Sequence, residues 1–192
     1  MKTEATPLSG VTVVHLDVFG DERGFFTERF NVQKFEELAL PTSFVQLNHS
    51  RSAPGVLRGL HYQATPPQGK LVGATRGRIW DVAVDIRPHS PTFGQHFGLE
   101  LSDMNGLLLW IPAGFAHGFC VLGNGPADVL YLCTAMYNPQ GESGIRYNDP
   151  DLSVAWPYDA MGANVIVSER DTKQPSFLTY RESPPPWETI LT

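Results

Sequence analysis

The sequence predicts an all-β protein, an antiparallel sandwich or barrel with a few short helices. Three observations carry that expectation. Short apolar or alternating runs recur along the chain, each of strand length. Loops rich in Gly, Pro, Asn and Ser separate them, and 18 glycines with 16 prolines in 192 residues leave little room for long helices. The first half holds one helical pattern, with no GxGxxG, no Walker loop and no repeat of fixed period. Many short strands at this spacing belong to sandwiches and barrels.

Taken in order, residues 11–19, VTVVHLDVF, read as a strand. Gly20-Asp21 reads as a turn, and GDERGFFTERF continues as an aromatic-rich extended piece. Asn31 has the side chain to cap a helix from Val32 to Ala39, which Pro41 ends. Phe44 to Ser50 alternates, with Gln46, Asn48 and Ser50 on one face and Val45, Leu47 and His49 on the other. An amide-bearing face belongs either to solvent or to a polar pocket, where planar amides offer a donor beside an acceptor.

Gly55 to Lys70, GVLRGLHYQATPPQGK, reads as a strand running into a sharp loop. Leu71 to Thr75 and Ile79 to Ile86 follow. In the second of these Trp80, Val82, Val84 and Ile86 share a face, and Asp81 and Asp85 share the opposite one. Further strands are expected at 97–101, 107–112, 118–122 and 129–137. The tail from Asp149 is rich in Pro and Asp and is expected to wrap the barrel, with 181–190 as an irregular terminus.

The length fits a single domain over residues 1–192, with a core at about 8–171 and a C-terminal tail at 172–192. A net charge of −6 argues against a general nucleic-acid binder. No run of eighteen apolar residues could cross a membrane, and MKTEATPLSG lacks an apolar leader, so a cytoplasmic protein is expected. On that basis Cys120 and Cys133, both in apolar runs, read as reduced core residues.

Gly55 to Lys70 concentrates Arg58, His61 and Lys70, a fixed cation, an imidazole and a second cation. In an ideal strand Arg58 and His61 point apart. They serve one pocket only if the strand bulges or twists, and Gly59 is the place for it. The alternative is a solvated Arg58 with a hydrogen-bonded core His61. His117 lies in IPAGFAHGF, read as a turn, and Tyr131 and Tyr137 lie on one expected strand. Asp171, Asp81 and Asp85 are all candidate carboxylate partners for His61, and spacing does not choose among them. Arg23 and Glu28 are candidate site residues whose plainer reading is solvated charge.

No metal is expected. His61 is followed by Tyr-Gln where a metal-binding barrel carries HxH, and the histidines at 15, 49, 89, 96 and 117 have no ligand spacing. A Ser-His-Asp hydrolase lacks its GxSxG.

Seven motifs, in order, resemble one family. GVLRGLHYQ, QGKLV, DVAVDIR, SPTFG, IPAGFAHGF, YLCTAMYNP and VSERD together are similar to the dTDP-4-dehydrorhamnose 3,5-epimerases, from about Gly20 to Asp171. The resemblance implies a cupin-like jelly-roll barrel, a homodimer and catalysis without metal or organic cofactor. It implies a dTDP-linked 4-keto-6-deoxy sugar as substrate. By motif, His61 would be the base, Asp171 its orienting carboxylate, Tyr131 the acid on the opposite face and Lys70 the cation at the ketone oxygen. Arg58 and His117 would contact the diphosphate–sugar region, with Gln46 and Asn48 also binding the nucleotide sugar, and Tyr137 would stack on thymine. Arg23 and Glu28 would reach the ligand from a partner chain. Glu142 also transfers, although its loop PQGESG departs from the family spelling, and Arg170 stands where the family often has lysine.

The chemistry is consistent with that set. A proton alpha to a ketone is less acidic than imidazolium by on the order of ten pKa units, about 14 kcal/mol. A base alone does not bridge that gap, so a cation must hold the enolate oxygen. Inversion also needs an acid on the face opposite the base. Two alternatives remain open at this stage. One is a relative that inverts only C3 or only C5, and the other is a non-catalytic sugar-nucleotide-binding barrel.

Overall fold

A computed structural model describes residues 1–191. Its strands are β1 (Lys2–Ala5), β2 (Thr12–His15), β3 (Val18–Asp21), β4 (Gly24–Thr27), β5 (Gln46–Ser52), β6 (Val56–Gln63) and β7 (Lys70–Arg76). They continue as β8 (Arg78–Asp85), β9 (His96–Ser102), β10 (Leu107–Ile111), β11 (Phe115–Leu122), β12 (Ala127–Cys133), β13 (Glu142–Gly144) and β14 (Ile166–Val167). Helices are α1 (Val32–Glu37), α2 (Glu169–Thr172), α3 (Phe177–Glu182) and α4 (Trp187–Ile190), with a 3-10 turn at Tyr158–Ala160.

Two sheets face each other, ordered β1-β2-β10-β7-β12-β5 and β13-β6-β11-β8-β9. This is the all-β, cupin-like jelly roll expected. The pairs along both orders are antiparallel, while β14 adds to β6 in parallel. Three apolar layers follow from the alternation of the strands. Between the sheets, Val72, Ala74, Leu109 and Val129 of the first meet Ile79, Ala83, Leu101 and Val121 of the second. Outside the second sheet, Leu57, Val82, Val84 and Ile86 are covered by Trp156, Met161, Phe177, Tyr180 and Trp187 from the tail. Outside the first, Leu71, Leu108 and Trp110 pack on Phe35 of α1. The odd residues of β8 therefore look inward, and Asp81 and Asp85 are fully buried.

Several elements differ from the sequence reading. The 11–19 strand breaks after His15, and Gly20-Asp21 lies within β3, in a separate two-stranded β3–β4 hairpin. Asn31 does cap α1, accepting from Lys34 N at 3.1 Å, but the helix stops at Glu37 because Ala39 turns to φ +54°. His117 is inside β11 and not in a turn. β12 ends at Cys133, so Tyr137 lies in the following loop. The 181–190 terminus is not irregular throughout, since α4 forms there and buries Trp187. Cys120 and Cys133 are both buried free thiols. Among the described residues no helix is long and apolar enough to cross a membrane.

Candidate active site

A cavity of about 290 Å³ opens at one end of the sandwich. It is lined from β5, β6, β7, β11, β12, β13 and α2, so the fold converges there. The backbone of β6 makes this possible. His117 pairs with His61 and Phe119 with Arg58, so β6 spends one more residue than β11 over the same span. The bulge falls at Gly59, whose φ is +132° and where a Cβ would lie 2.6 Å from Gly118 Cα. Arg58 and His61 consequently both line the cavity despite their opposite parity. A side chain at Gly59 would flatten the bulge and separate them.

His61 Nε2 is 2.7 Å from Asp171 Oδ1. Asp171 Oδ2 also accepts from Gly59 N at 3.3 Å, and the Asp171 N–H donates to Ser168 Oγ, the cap of α2, at 3.1 Å. Burial would raise the Asp171 carboxyl, but the His61 contact and these donors outweigh it and hold it below its usual range. An ionised carboxylate only accepts, so Nε2 carries a proton, and in the neutral imidazole the lone pair is then on Nδ1. Asp81 and Asp85, the other two candidates, are engaged elsewhere. Asp81 lies against His117, and Asp85 pairs with Arg87 at 2.6 Å.

Tyr131 stands on β12 opposite Asn48 of β5 and Val72 of β7. Burial raises its phenol, with Arg58 and Asn48 opposing, so it stays protonated well above neutrality. Lys70 opens on the same cavity. Burial lowers its ammonium group, against the pull of Cys133, Glu142 and Asp81. Glu142 is the reverse case. Burial raises it, but Arg170 and the Tyr137 hydroxyl (2.9 Å) more than compensate, so it titrates below its usual range.

The amides of β5 do face the cavity. Tyr137 N donates to Gln46 Oε1 at 2.8 Å, Gln46 Nε2 to Asn48 Oδ1 at 2.9 Å, and Asn48 Nδ2 to Cys133 Sγ at 3.6 Å. The apolar partners on the other face, Val45 and Leu47, are the exposed ones.

Eleven of the thirteen expected site residues gather here, ten lining the cavity and Asp171 behind His61. Arg23 and Glu28 do not. Arg23 extends into solvent and pairs with Asp21, and Glu28 pairs with Lys34 at 2.8 Å. Gln68, Gly118 and Phe119 line the cavity without having been singled out. Gln68 sits in the Pro-Pro-Gln-Gly turn and reads as turn chemistry, while Phe119 reads as core. No sequence signal separates either from those roles. Among the described residues no group of three or more His, Cys, Asp or Glu converges as a metal site.

Comparison with known proteins identifies the family. The family model for dTDP-4-dehydrorhamnose 3,5-epimerase matches residues 5–179. The epimerase of that name from Pseudomonas aeruginosa is 50% identical over 178 residues, 92% of this chain and 96% of that protein. The crystal structure of a dTDP-6-deoxy-D-glucose-3,5-epimerase from Legionella pneumophila, in complex with dTDP-4-keto-L-rhamnose, is 46% identical, with a TM-score of 0.86 and coverage of 92% and 93%. The Mycobacterium tuberculosis epimerase superposes with a TM-score of 0.91 at 39% identity, over 100% of this chain and 96% of that one. With sequence match and fold in accord over nearly the whole length, the chain belongs to the dTDP-4-dehydrorhamnose 3,5-epimerase family of isomerases.

Proposed function

We propose that the chain inverts C3 and C5 of dTDP-4-dehydro-6-deoxy-D-glucose, giving dTDP-4-dehydro-L-rhamnose, with His61 as base and Tyr131 as acid. One observation carries this reading: His61 (backed by Asp171), Tyr131 and Lys70 open on a single cavity. His61 Nδ1 takes the proton alpha to the ketone, and the bonding pair moves onto the C4 oxygen. The Lys70 ammonium holds that enolate. The Tyr131 hydroxyl then protonates the carbon from the other face, and the phenolate and imidazolium exchange with water. The same cycle at the second alpha carbon completes the product. The steps are redox-neutral, and base, acid and cation all come from the chain. Arg58 and His117 meet the diphosphate–sugar region, Gln46, Asn48, Glu142 and Arg170 bind the nucleotide sugar, and Tyr137 stacks on thymine.

Turnover in D2O tests the activity. Deuterium at both C3 and C5 of the product is expected, read by proton NMR. Label at one carbon only would replace double with single inversion, and no label would remove the enolate mechanism.

The working unit in this reading is a homodimer. Phe19, Phe25 and Phe26 on the β3–β4 hairpin are 65%, 56% and 67% exposed, far more than an isolated hairpin sustains without cost. An apolar groove lined by Phe30, Leu47, Leu71, Leu108, Leu130 and Leu132 lies on the outer face of the first sheet. A second copy covering these surfaces would carry Arg23 and Glu28 toward its neighbour's cavity. Sedimentation equilibrium is expected to give twice the 21.2 kDa chain mass. A monomer at micromolar concentration would contradict it.

A further inference from the structure

Gln63 ends β6, two residues beyond His61, and is buried outside the lining of the cavity. A planar amide in the interior must place two N–H donors and a carbonyl oxygen. Gln63 places them on the chain around Tyr137. Its Nε2 donates to Pro66 O at 2.9 Å and to Met136 O at 3.0 Å, and its Oε1 accepts from Asn138 N at 2.8 Å. These partners leave the amide one orientation, with carbonyls at the nitrogen end and an N–H at the oxygen end. One side chain therefore holds the residues on both sides of Tyr137.

Tyr137 gains from such a hold. It lies beyond the end of β12 at Cys133, outside the sheet ladder, and half of its surface is exposed. Its own N–H donates to Gln46 Oε1 at 2.8 Å, and its hydroxyl donates to Glu142 Oε2 at 2.9 Å. Glu142 is itself opposite Gln63 in the β13–β6 register. Pro66, the third partner of the amide, belongs to the turn that carries Gln68, and Gln68 Nε2 donates back to Ala135 O at 2.8 Å. The loop that carries Tyr137 and the turn after β6 are thus one hydrogen-bonded unit with the Gln63 amide inside it.

We propose that Gln63 is a positioning residue for the nucleobase: it fixes the backbone on either side of Tyr137 so that the ring is already in place to stack on thymine. The role rests on the stacking reading of Tyr137. A ring on a free loop loses conformational entropy when a ligand orders it, and a ring already held does not. The gain belongs to nucleotide affinity, because Gln63 does not line the cavity where the sugar reacts.

Gln63→Met keeps the length of the side chain and removes all three hydrogen bonds. The Kd for dTDP is expected to rise about tenfold, with kcat at saturating substrate within about threefold of wild type. In a Tyr137→Ala background the same substitution should change Kd by less than about twofold, since both residues act through one ring. A loss of kcat larger than the loss of affinity would overturn the proposal. So would an affinity loss of equal size with and without the Tyr137 ring. Hydrogen exchange on the ligand-free wild-type protein needs no variant to fold. The Asn138 amide is expected to exchange at least about a hundredfold more slowly than in an unstructured chain, and exchange at the unstructured rate would overturn the proposal. A Tyr137→Ala protein that binds dTDP as tightly as wild type would remove the stacking reading and the proposal with it. Weak binding by Tyr137→Ala beside normal binding by Gln63→Met would remove the positioning role alone.

Discussion

His61→Asn is expected to lower kcat by about 10³- to 10⁴-fold while changing the Kd for the dTDP-sugar by less than about threefold. The loss corresponds to about 4–5.5 kcal/mol of transition-state stabilisation. Asparagine ends at the level of Nδ1, short of Nε2, so the 2.7 Å contact to Asp171 is lost with the base, while the backbone bulge at Gly59 does not depend on this side chain. The basic lone pair at Nδ1 has no replacement. The other nitrogen groups of the cavity carry different tasks in this reading, Lys70 as the cation at the enolate and His117 at the diphosphate–sugar region. Steady-state turnover and calorimetric titration with dTDP separate the two quantities. A parallel loss of affinity and rate would recast His61 as a binding group.

Tyr131→Phe is expected to slow net inversion by about 10²- to 10³-fold at nearly unchanged KM. The phenol is half-buried on β12, and burial keeps it protonated at working pH. Phenylalanine preserves the ring, its packing between β5 and β7 and its register against Asn48 and Val72. What disappears is the phenol proton on β12, apart from the His61–Asp171 pair on β6 and α2. Rate loss without a KM change marks a group that acts in the transition state and not in ground-state binding. A variant that inverts substrate at the wild-type rate would shift the acid role to another residue or to water.

Much of this was legible in the sequence because the relevant patterns are local. The alternation of Gln46, Asn48 and Ser50 marked a polar face open to solvent or to a pocket, and the structure turns it to the cavity. The parity conflict between Arg58 and His61 made Gly59 the place for a bulge if both serve one pocket, and the ladder shifts register there. What was not legible depends on distances between segments far apart in the chain. Three carboxylates were open to His61, and only the fold decides that Asp171, 110 residues away, reaches it while Asp81 turns to His117. His117 was read as a turn residue because Pro112 and Gly114 precede it, yet β11 begins at Phe115 and carries it into the sheet. The tail was read as irregular because Pro184, Pro185 and Pro186 interrupt it. Proline is tolerated at a helix start, and burial of Trp187 against the second sheet holds α4 in place. Arg23 lines a hollow on its own β3–β4 hairpin and Glu28 pairs with Lys34, both away from the His61 cavity.

In the proposed mechanism an imidazole and a phenol address one sugar ring from opposite faces, with Lys70 steadying the enolate between them. Running Tyr131→Phe in D2O and recovering the unconverted substrate tests it most directly. His61 should still remove the alpha proton, exchange it with solvent and return a deuteron to the face it left. Deuterated substrate of unchanged configuration, formed faster than product, is the expected result. Recovered substrate without deuterium, beside product at the wild-type rate, would contradict it.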